Sequence, residues 1–234
     1  MSHFKNFKTC VYCTAQTLAS LDETTLARDY AYLEKYVGID KVYLETYRDG
    51  TWVAIDHMKM IQNFFKEHGV EIAGGITTVT PPLEKDDAKR QRLFQTFCYS
   101  NEAMRTYLKK IVTYTAELFD EIILDDFFFT SCTCDDCLRE RSNLSWAEFR
   151  SKKMIDVAEN LVLKPAKLAN PSVKVTIKYP NWRESYHETG YVPKIQPSMF
   201  DKIYTGTETR NTAHTDQHLP RYLSYSIMRY MEHV

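Results

Sequence analysis

Six times along the chain a short, almost uninterrupted apolar run is followed by a polar or amphipathic stretch, and that repeat restricts the fold more than any other feature. The apolar runs are "TCVYCTAQTL" (9–18), "KVYLETY" (41–47), "VEIAGGITTV" (70–79), "EIILDDFFF" (121–129), "VKVTIKYPNW" (173–182) and "DKIYTGTETR" (201–210). Between them, helical spacing appears. Leu26, Tyr30, Leu33 and Val37 share one face and Gly38 closes it; Ile61, Phe64 and Phe65 form a second, closed by Gly69; Met104, Leu108, Ile111 and Leu118 form a third. Ser145 and Glu148 have capping-box spacing, which marks the start of a fourth helix. Pro165 places its end near Leu163, because proline lacks an amide donor. The tail from Leu219 to Val234 reads as a further helix.

Strands buried on both faces and alternating with helices predict a parallel α/β fold. A (β/α)8 TIM-type barrel is the first expectation and a doubly wound sheet the second. A standard barrel has eight strands in about 250 residues, and six units are legible here. The chain therefore reads as one barrel domain over 1–234, an N-terminal portion of a longer protein, with the possibility of closure by a C-terminal part or by a second copy in a homo-oligomer.

Composition removes several function classes. Thirty Lys and Arg stand against 31 Asp and Glu, which is not the basic footprint of a nucleic-acid binder. No apolar run is long enough to span a bilayer, and the first residues lack the apolar stretch of a secretory signal, which leaves a cytoplasmic protein or a secreted one with its signal removed. Six cysteines in 234 residues do not make a disulfide scaffold. Aromatic residues make up 13%, which suits a carbohydrate or other flat ligand as well as it suits a core.

Cys132, Cys134 and Cys137 form C-x-C-x-x-C directly after the fourth strand. Closely spaced thiolates can wrap one tetrahedral zinc ion, and a closed site needs a fourth ligand. Cys98 follows the third strand. In a parallel fold its loop leaves the sheet at the same end, so Cys98 is the expected fourth ligand of a structural Zn2+. Cys10 and Cys13 lie along the first strand and read as packing residues.

Function in parallel α/β folds gathers at the C-terminal ends of the strands. The second strand ends with Glu45, Tyr47 and Arg48, the third with Thr77 and Thr78, the fourth with Asp125 and Asp126, the fifth with Lys178, Asn181 and Trp182, and the sixth with Glu208 and Arg210. Buried carboxylates are costly unless paired or used, and two carboxylates across a sugar are the machinery of glycoside hydrolysis. Asp125 or Asp126 with Glu208 is the natural catalytic pair. Strand alternation lets one aspartate face inward, with a lean to Asp125. Glu45, Tyr47, Arg48, Lys178, Asn181, Trp182 and Arg210 are the candidate substrate contacts. His214 and His218, four residues apart, read as a helix-surface pair.

These stretches carry a resemblance. "EIILDDFFF" resembles the fourth-strand ends of glycoside hydrolase barrels, and Cys98 with Cys132-x-Cys134-x-x-Cys137 is similar to the zinc-binding cysteine cluster of family 42 β-galactosidases. With "YLETYRDG", "AGGIT", "KYPNW" and "YTGTETR", most of the chain looks like a group of uncharacterised bacterial glycoside-hydrolase-like proteins. Family 42 enzymes place Asn-Glu at the end of strand four and a nucleophilic Glu on strand seven. Here strand four offers Asp-Asp. A strand-four Asp nucleophile is instead similar to the α-galactosidase clan. The resemblance implies a glycosidase acting on an oligo- or polysaccharide. The alternatives are a non-catalytic carbohydrate-binding barrel and a metal-dependent hydrolase.

Overall fold

The computed structural model describes residues 4–80, 92–207 and 222–234. Its strands are β1 (Cys10–Cys13), β2 (Lys41–Arg48), β3 (Thr51–Trp52), β4 (Glu71–Ile76), β5 (Glu121–Leu124), β6 (Lys174–Tyr179) and β7 (Lys202–Thr205). The helices are α1 (Ala15–Ser20), α2 (Glu23–Tyr36), α3 (Ile55–Glu67), α4 (Glu102–Leu118), α5 (Asp135–Arg141), α6 (Trp146–Val157), α7 (Lys164–Ala169), α8 (Tyr186–Thr189), α9 (Gln196–Met199) and α10 (Leu223–Glu232). Six strands pair in the order β1-β2-β4-β5-β6-β7, each parallel to its neighbour, while β3 folds back antiparallel on β2. Chain order and spatial order coincide, as in a barrel wall. A doubly wound sheet would reverse direction partway. The sheet also curls. Tyr43 on β2 and Tyr204 on β7 are four strands apart in the sheet, yet their hydroxyls meet at 2.7 Å across the concave face. The molecule is thus an α/β half-barrel of six parallel strands.

The two faces of the sheet divide the labour. The convex face packs Val42, Leu44, Ile76, Ile122, Leu124, Val175 and Ile177 against the helices, and these residues are buried in the main core. The concave face holds a small apolar plug of Tyr43, Ala73 and Ile123, with Tyr12 against it. Adjacent glycines serve opposite faces. A Cβ on Gly74 would stand 2.7 Å from the side chains of Phe119 and Thr115 on the helix side, whereas one on Gly75 would stand 2.7 Å from the Tyr12 hydroxyl on the inside.

Two expectations about element boundaries are corrected. The first strand stops at Cys13, and "AQTLAS" is helix α1, because the Thr14 side chain accepts a hydrogen bond from the Thr17 amide as an N-cap. The helix that opens at Ser145 does not end at Leu163. A π-helical stretch, Ala158–Leu163, carries α6 into α7, and Pro165 falls at the start of the new helix, where no intrahelical donor is needed. No helix among the described residues is long and apolar enough to cross a membrane.

Candidate active site

The concave face opens at the C-terminal ends of β2, β4, β5 and β6, where five charged side chains form a continuous chain. Glu45 is 0% exposed. One of its oxygens accepts from the Tyr12 hydroxyl at 2.7 Å and from the Thr77 hydroxyl; the other accepts from the Ala15 amide at 2.7 Å. Arg48 Nε reaches both oxygens, at 3.1 and 2.9 Å. Arg48 Nη2 then donates to Asp125 Oδ2 at 3.0 Å. Lys178 Nζ donates to Asp125 Oδ1 and to Asp126 Oδ2, both at 3.1 Å.

A backbone irregularity makes this chain possible. Strict alternation would put Glu45 and Arg48, three residues apart, on opposite faces of β2. The pairing with β4 shifts between Glu45 and Tyr47. This bulge turns Thr46 and Tyr47 outward together, so Glu45 and Arg48 both face the site. Thr46 bonds Thr115 of α4 at 2.6 Å, and Tyr47 packs edge-on against Trp52 and Tyr107 with its hydroxyl donating to the Val79 carbonyl. Tyr47 is therefore not brought together with the other expected substrate contacts.

Charge balance in the chain is tight. Burial works against the charge on Lys178, but Asp125 and Asp126 outweigh it, and the ammonium's pKa lies above the ordinary lysine value. Burial also opposes the charge on Arg48, and the hydrogen bonds and charge of Glu45, with Tyr12 and Asp125, overcome it. The Tyr12 hydroxyl is pushed well above the usual tyrosine range, first by burial and then by the charges of Glu45 and Asp125, so it remains a donor to Glu45. Both aspartates are close to the lysine because β5 ends at Leu124 and the backbone turns at Asp126 and Phe127. The expectation that alternation would separate them does not hold once the strand has ended. Asp125 is the more buried of the two.

Aromatic side chains wall the charged group. Arg48 lies over the Phe127 ring at 5.5 Å. Trp182 is half-buried and meets Phe129 edge-on at 5.4 Å and Tyr191 at 5.6 Å. The Tyr191 hydroxyl donates to the Asp126 carbonyl at 2.9 Å, which fixes the turn. Asn181 is buried just beyond the end of β6. Glu208, Arg210, His214 and His218 lie outside the described residues. Phe127 is one of the aromatics that the sequence places beside the strand-end carboxylates, with Tyr47 and Trp182. Tyr12 is the site residue that the sequence reading missed; its position between Cys10 and Cys13 on the first strand was the available signal.

Cys98, Cys132, Cys134 and Cys137 converge as expected, with all four sulfurs within 4.8 Å of one another. Cys98 is 3.6 Å from both Cys134 and Cys137, and Cys134 is 3.8 Å from Cys137. Four sulfurs at about 2.3 Å from a tetrahedral ion stand roughly 3.8 Å apart, so the cage fits a metal. Hydrogen bonds from Cys137 and Cys98 favour the Cys132 thiolate and pull its pKa down to about 4. The surroundings also suit an anionic centre. Arg150 lies close enough to feel Cys137 and Cys132, and its guanidinium otherwise donates to the carbonyls of Glu188 and Ser131. Phe149, Met104, Leu144 and Trp146 enclose the sulfurs. The cluster can bind a metal.

Parallel strands in chain order, with acids gathered at their C-terminal ends, are what a portion of a (β/α)8 barrel wall presents. Among solved structures the chain is similar to the β-galactosidase of the psychrophilic Marinomonas ef1 (12% identity, 90% of this chain and 43% of that one, TM-score 0.62). It is likewise similar to the cold-adapted β-galactosidase of Rahnella sp. R3 (11% identity, 90% and 41%, TM-score 0.61). At such identities the likeness is one of fold. The family model described as "Probable glycosyl hydrolase, catalytic domain" matches residues 1–234, and the chain belongs to that family. It is also 32% identical, over 97% of its length, to the uncharacterised protein SSO3021 of Saccharolobus solfataricus, and spans 40% of that relative.

Proposed function

We propose that this domain hydrolyses a glycosidic bond in an oligo- or polysaccharide with Asp125 as the carboxylate that acts at the anomeric carbon, as nucleophile or as the base for water. The observation that carries the proposal is the clamp on Asp125: one oxygen on Arg48, the other on Lys178, at the mouth of the concave face. Cations on both sides offset the cost of burying the carboxylate and fix its direction. Asp126 shares Lys178 and holds the turn. Glu208 is the proposed general acid, and Arg210 a proposed substrate contact. Lys178 and Asn181 are proposed to hold sugar hydroxyls, and Trp182 to offer a ring face. Glu45 has every oxygen engaged, and its proposed role is to position Arg48. The carbohydrate partner follows from family membership; a β-galactoside is the first substrate to try, because the two β-galactosidases share the fold.

The proposed metal is a structural zinc held by Cys98, Cys132, Cys134 and Cys137. Bound there it would cross-link the loop after β5 to the start of α4. Four thiolates close a tetrahedral shell and leave no position for a reacting water, which favours this role over metal-dependent hydrolysis. Expected on purification is about one zinc per chain, lost with a chelator together with thermal stability; a metal-free protein of unchanged melting temperature would refute the assignment.

The test of the reaction is turnover of 4-nitrophenyl glycosides, the β-D-galactopyranoside first, by the full-length protein and its Asp125→Asn variant. The substitution is isosteric, and the expected loss is about 10²–10⁴-fold with folding retained. Equal turnover by the variant would overturn the role of Asp125. Sugar binding without turnover by the unaltered protein would favour a carbohydrate-binding barrel instead.

A further inference from the structure

The segment Arg92–Phe97, between β4 and α4, contains two residues whose backbone is unusual for their type. Phe94 and Gln95 both have left-handed backbone, with φ of 52° and 54°. Glycine or asparagine is the usual residue in that region, since a Cβ is strained there. Phe94 has a bulky aromatic side chain, and it is 61% exposed. An exposed phenylalanine contributes little to the core, and in this conformation it adds strain.

The surrounding bonds hold the strain in place. The Leu93 amide donates to Ser131 Oγ at 2.7 Å, the Gln95 amide to the Arg92 carbonyl at 3.1 Å, and the Gln95 carbonyl accepts from the Thr80 amide at 3.0 Å. A bridge between Val79 and Thr96 ties the segment to the exit of β4. Strained residues that a scaffold over-determines in this way gather at ligand sites. The strain sets the direction of one ring. Phe94 meets Phe127 edge-on at 5.5 Å, and Phe127 is the ring under Arg48, which holds Asp125. It also meets Phe129 at 6.5 Å, and Phe129 touches Trp182. Phe94 thus extends the aromatic wall of the charged site outward into solvent.

We propose that Phe94 is a carbohydrate-stacking platform, its exposed ring covering the apolar C–H face of a pyranose unit of a chain whose scissile bond lies at Asp125. Rigid aromatic faces supply apolar contact at low entropic cost while leaving hydroxyls in water. The inference rests on the glycosidase reading above, and its test is binding, which can fail independently of turnover.

The experiment is affinity electrophoresis of the full-length protein in gels containing soluble galactan, xyloglucan, glucomannan or amylopectin. At least one of these polysaccharides should retard the unaltered protein. Phe94→Ala and Phe94→Gly should weaken that retardation at least tenfold, and Phe94→Trp should keep it within about threefold. Phe94→Gly also relieves the left-handed strain, so its melting temperature should match or exceed that of the parent, which separates loss of the ring from loss of the fold. Retardation of Phe94→Ala equal to the parent's, or no retardation of the parent by any of the four, overturns the platform. Loss of turnover in Asp125→Asn with unchanged binding in Phe94→Ala leaves the reaction standing and refutes the platform; loss of binding in Phe94→Ala with equal turnover in Asp125→Asn does the reverse.

Discussion

The concave face carries one ionic network at each end, and the two are built differently. At the N-terminal end Glu121 sits between Lys41 at 2.7 Å and Lys202 at 2.9 Å, under the Tyr43–Tyr204 hydrogen bond. At the C-terminal end Glu45, Arg48, Asp125, Lys178 and Asp126 alternate in sign. The lower network has one acid for two bases and closes on itself across strands β2, β5 and β7. The upper has three acids for two bases and ends at an open mouth, with one carboxylate in excess. Similar side chains therefore do different work. The lower network lies under a hydroxyl pair and joins three strands, whereas the upper one faces the cleft and carries the proposed chemistry.

The contrast breaks if the two ends respond alike to mutation. The largest expected effect is on the upper end: Asp125→Asn lowers turnover by about 10²–10⁴-fold and shifts the melting temperature little. Glu45→Gln, one link further from the proposed substrate, lowers kcat by about 10²-fold through loss of Arg48 alignment. Its KM should stay close to the parent's, a split that general loosening of the fold would not produce. Glu121→Gln should do the opposite. Removing the shared partner leaves the buried Lys41 ammonium uncompensated, while Lys202 is exposed to water, at a cost of roughly 3 kcal/mol in chemical denaturation, with turnover unchanged. Gly75→Ala lies between the ends. Its methyl would push Tyr12 off Glu45, and a cost of about 1–3 kcal/mol is expected for the overpacking, with a modest fall in kcat.

The smallest effect is on pH dependence. Burial raises the pKa of Glu121, but Lys202 and Lys41 outweigh it and the net value lies below the ordinary 4.5. The folded state therefore holds the proton less tightly than the unfolded chain. The contribution of Glu121 to stability is complete above about pH 4.5 and is lost as pH falls through the lower folded value. The stability gap between the parent and Glu121→Gln should be full at about pH 7 and shrink at about pH 3. A gap that widens on acidification would reverse the sign of this argument.

Much of the scaffold was legible because it depends on periodicity. Each parallel strand is a visible apolar run, and chain order matches spatial order, so the sequence alone groups the strand ends that carry Glu45, Asp125 and Lys178. The thiol cage was legible for the same reason: Cys98 and Cys132 follow neighbouring strands β4 and β5. What escaped was whatever departs from the period. Which face Tyr47 and Arg48 take depends on the β2 bulge, and nothing in "LETYR" announces an extra residue. The continuation of α6 past Pro165 depends on a π-helical turn that composition does not mark. Phe94 lay next to a polar excursion, where an isolated Leu-Phe pair was the available signal.

The bulge in β2 has a consequence for how such a site can change. Substitution alters one side chain at a time, but here the backbone path decides which side chains share the cleft. Deleting Thr46 would remove the bulge and leave Glu45 and Arg48 two residues apart, still on one face, whereas flattening the bulge with Thr46 in place would put them on opposite faces. In the second case the acid and the guanidinium would part company without either being replaced. The bulge thus absorbs one extra residue in β2, and the partnership of Glu45 and Arg48 survives a change of chain length that a regular strand would not tolerate.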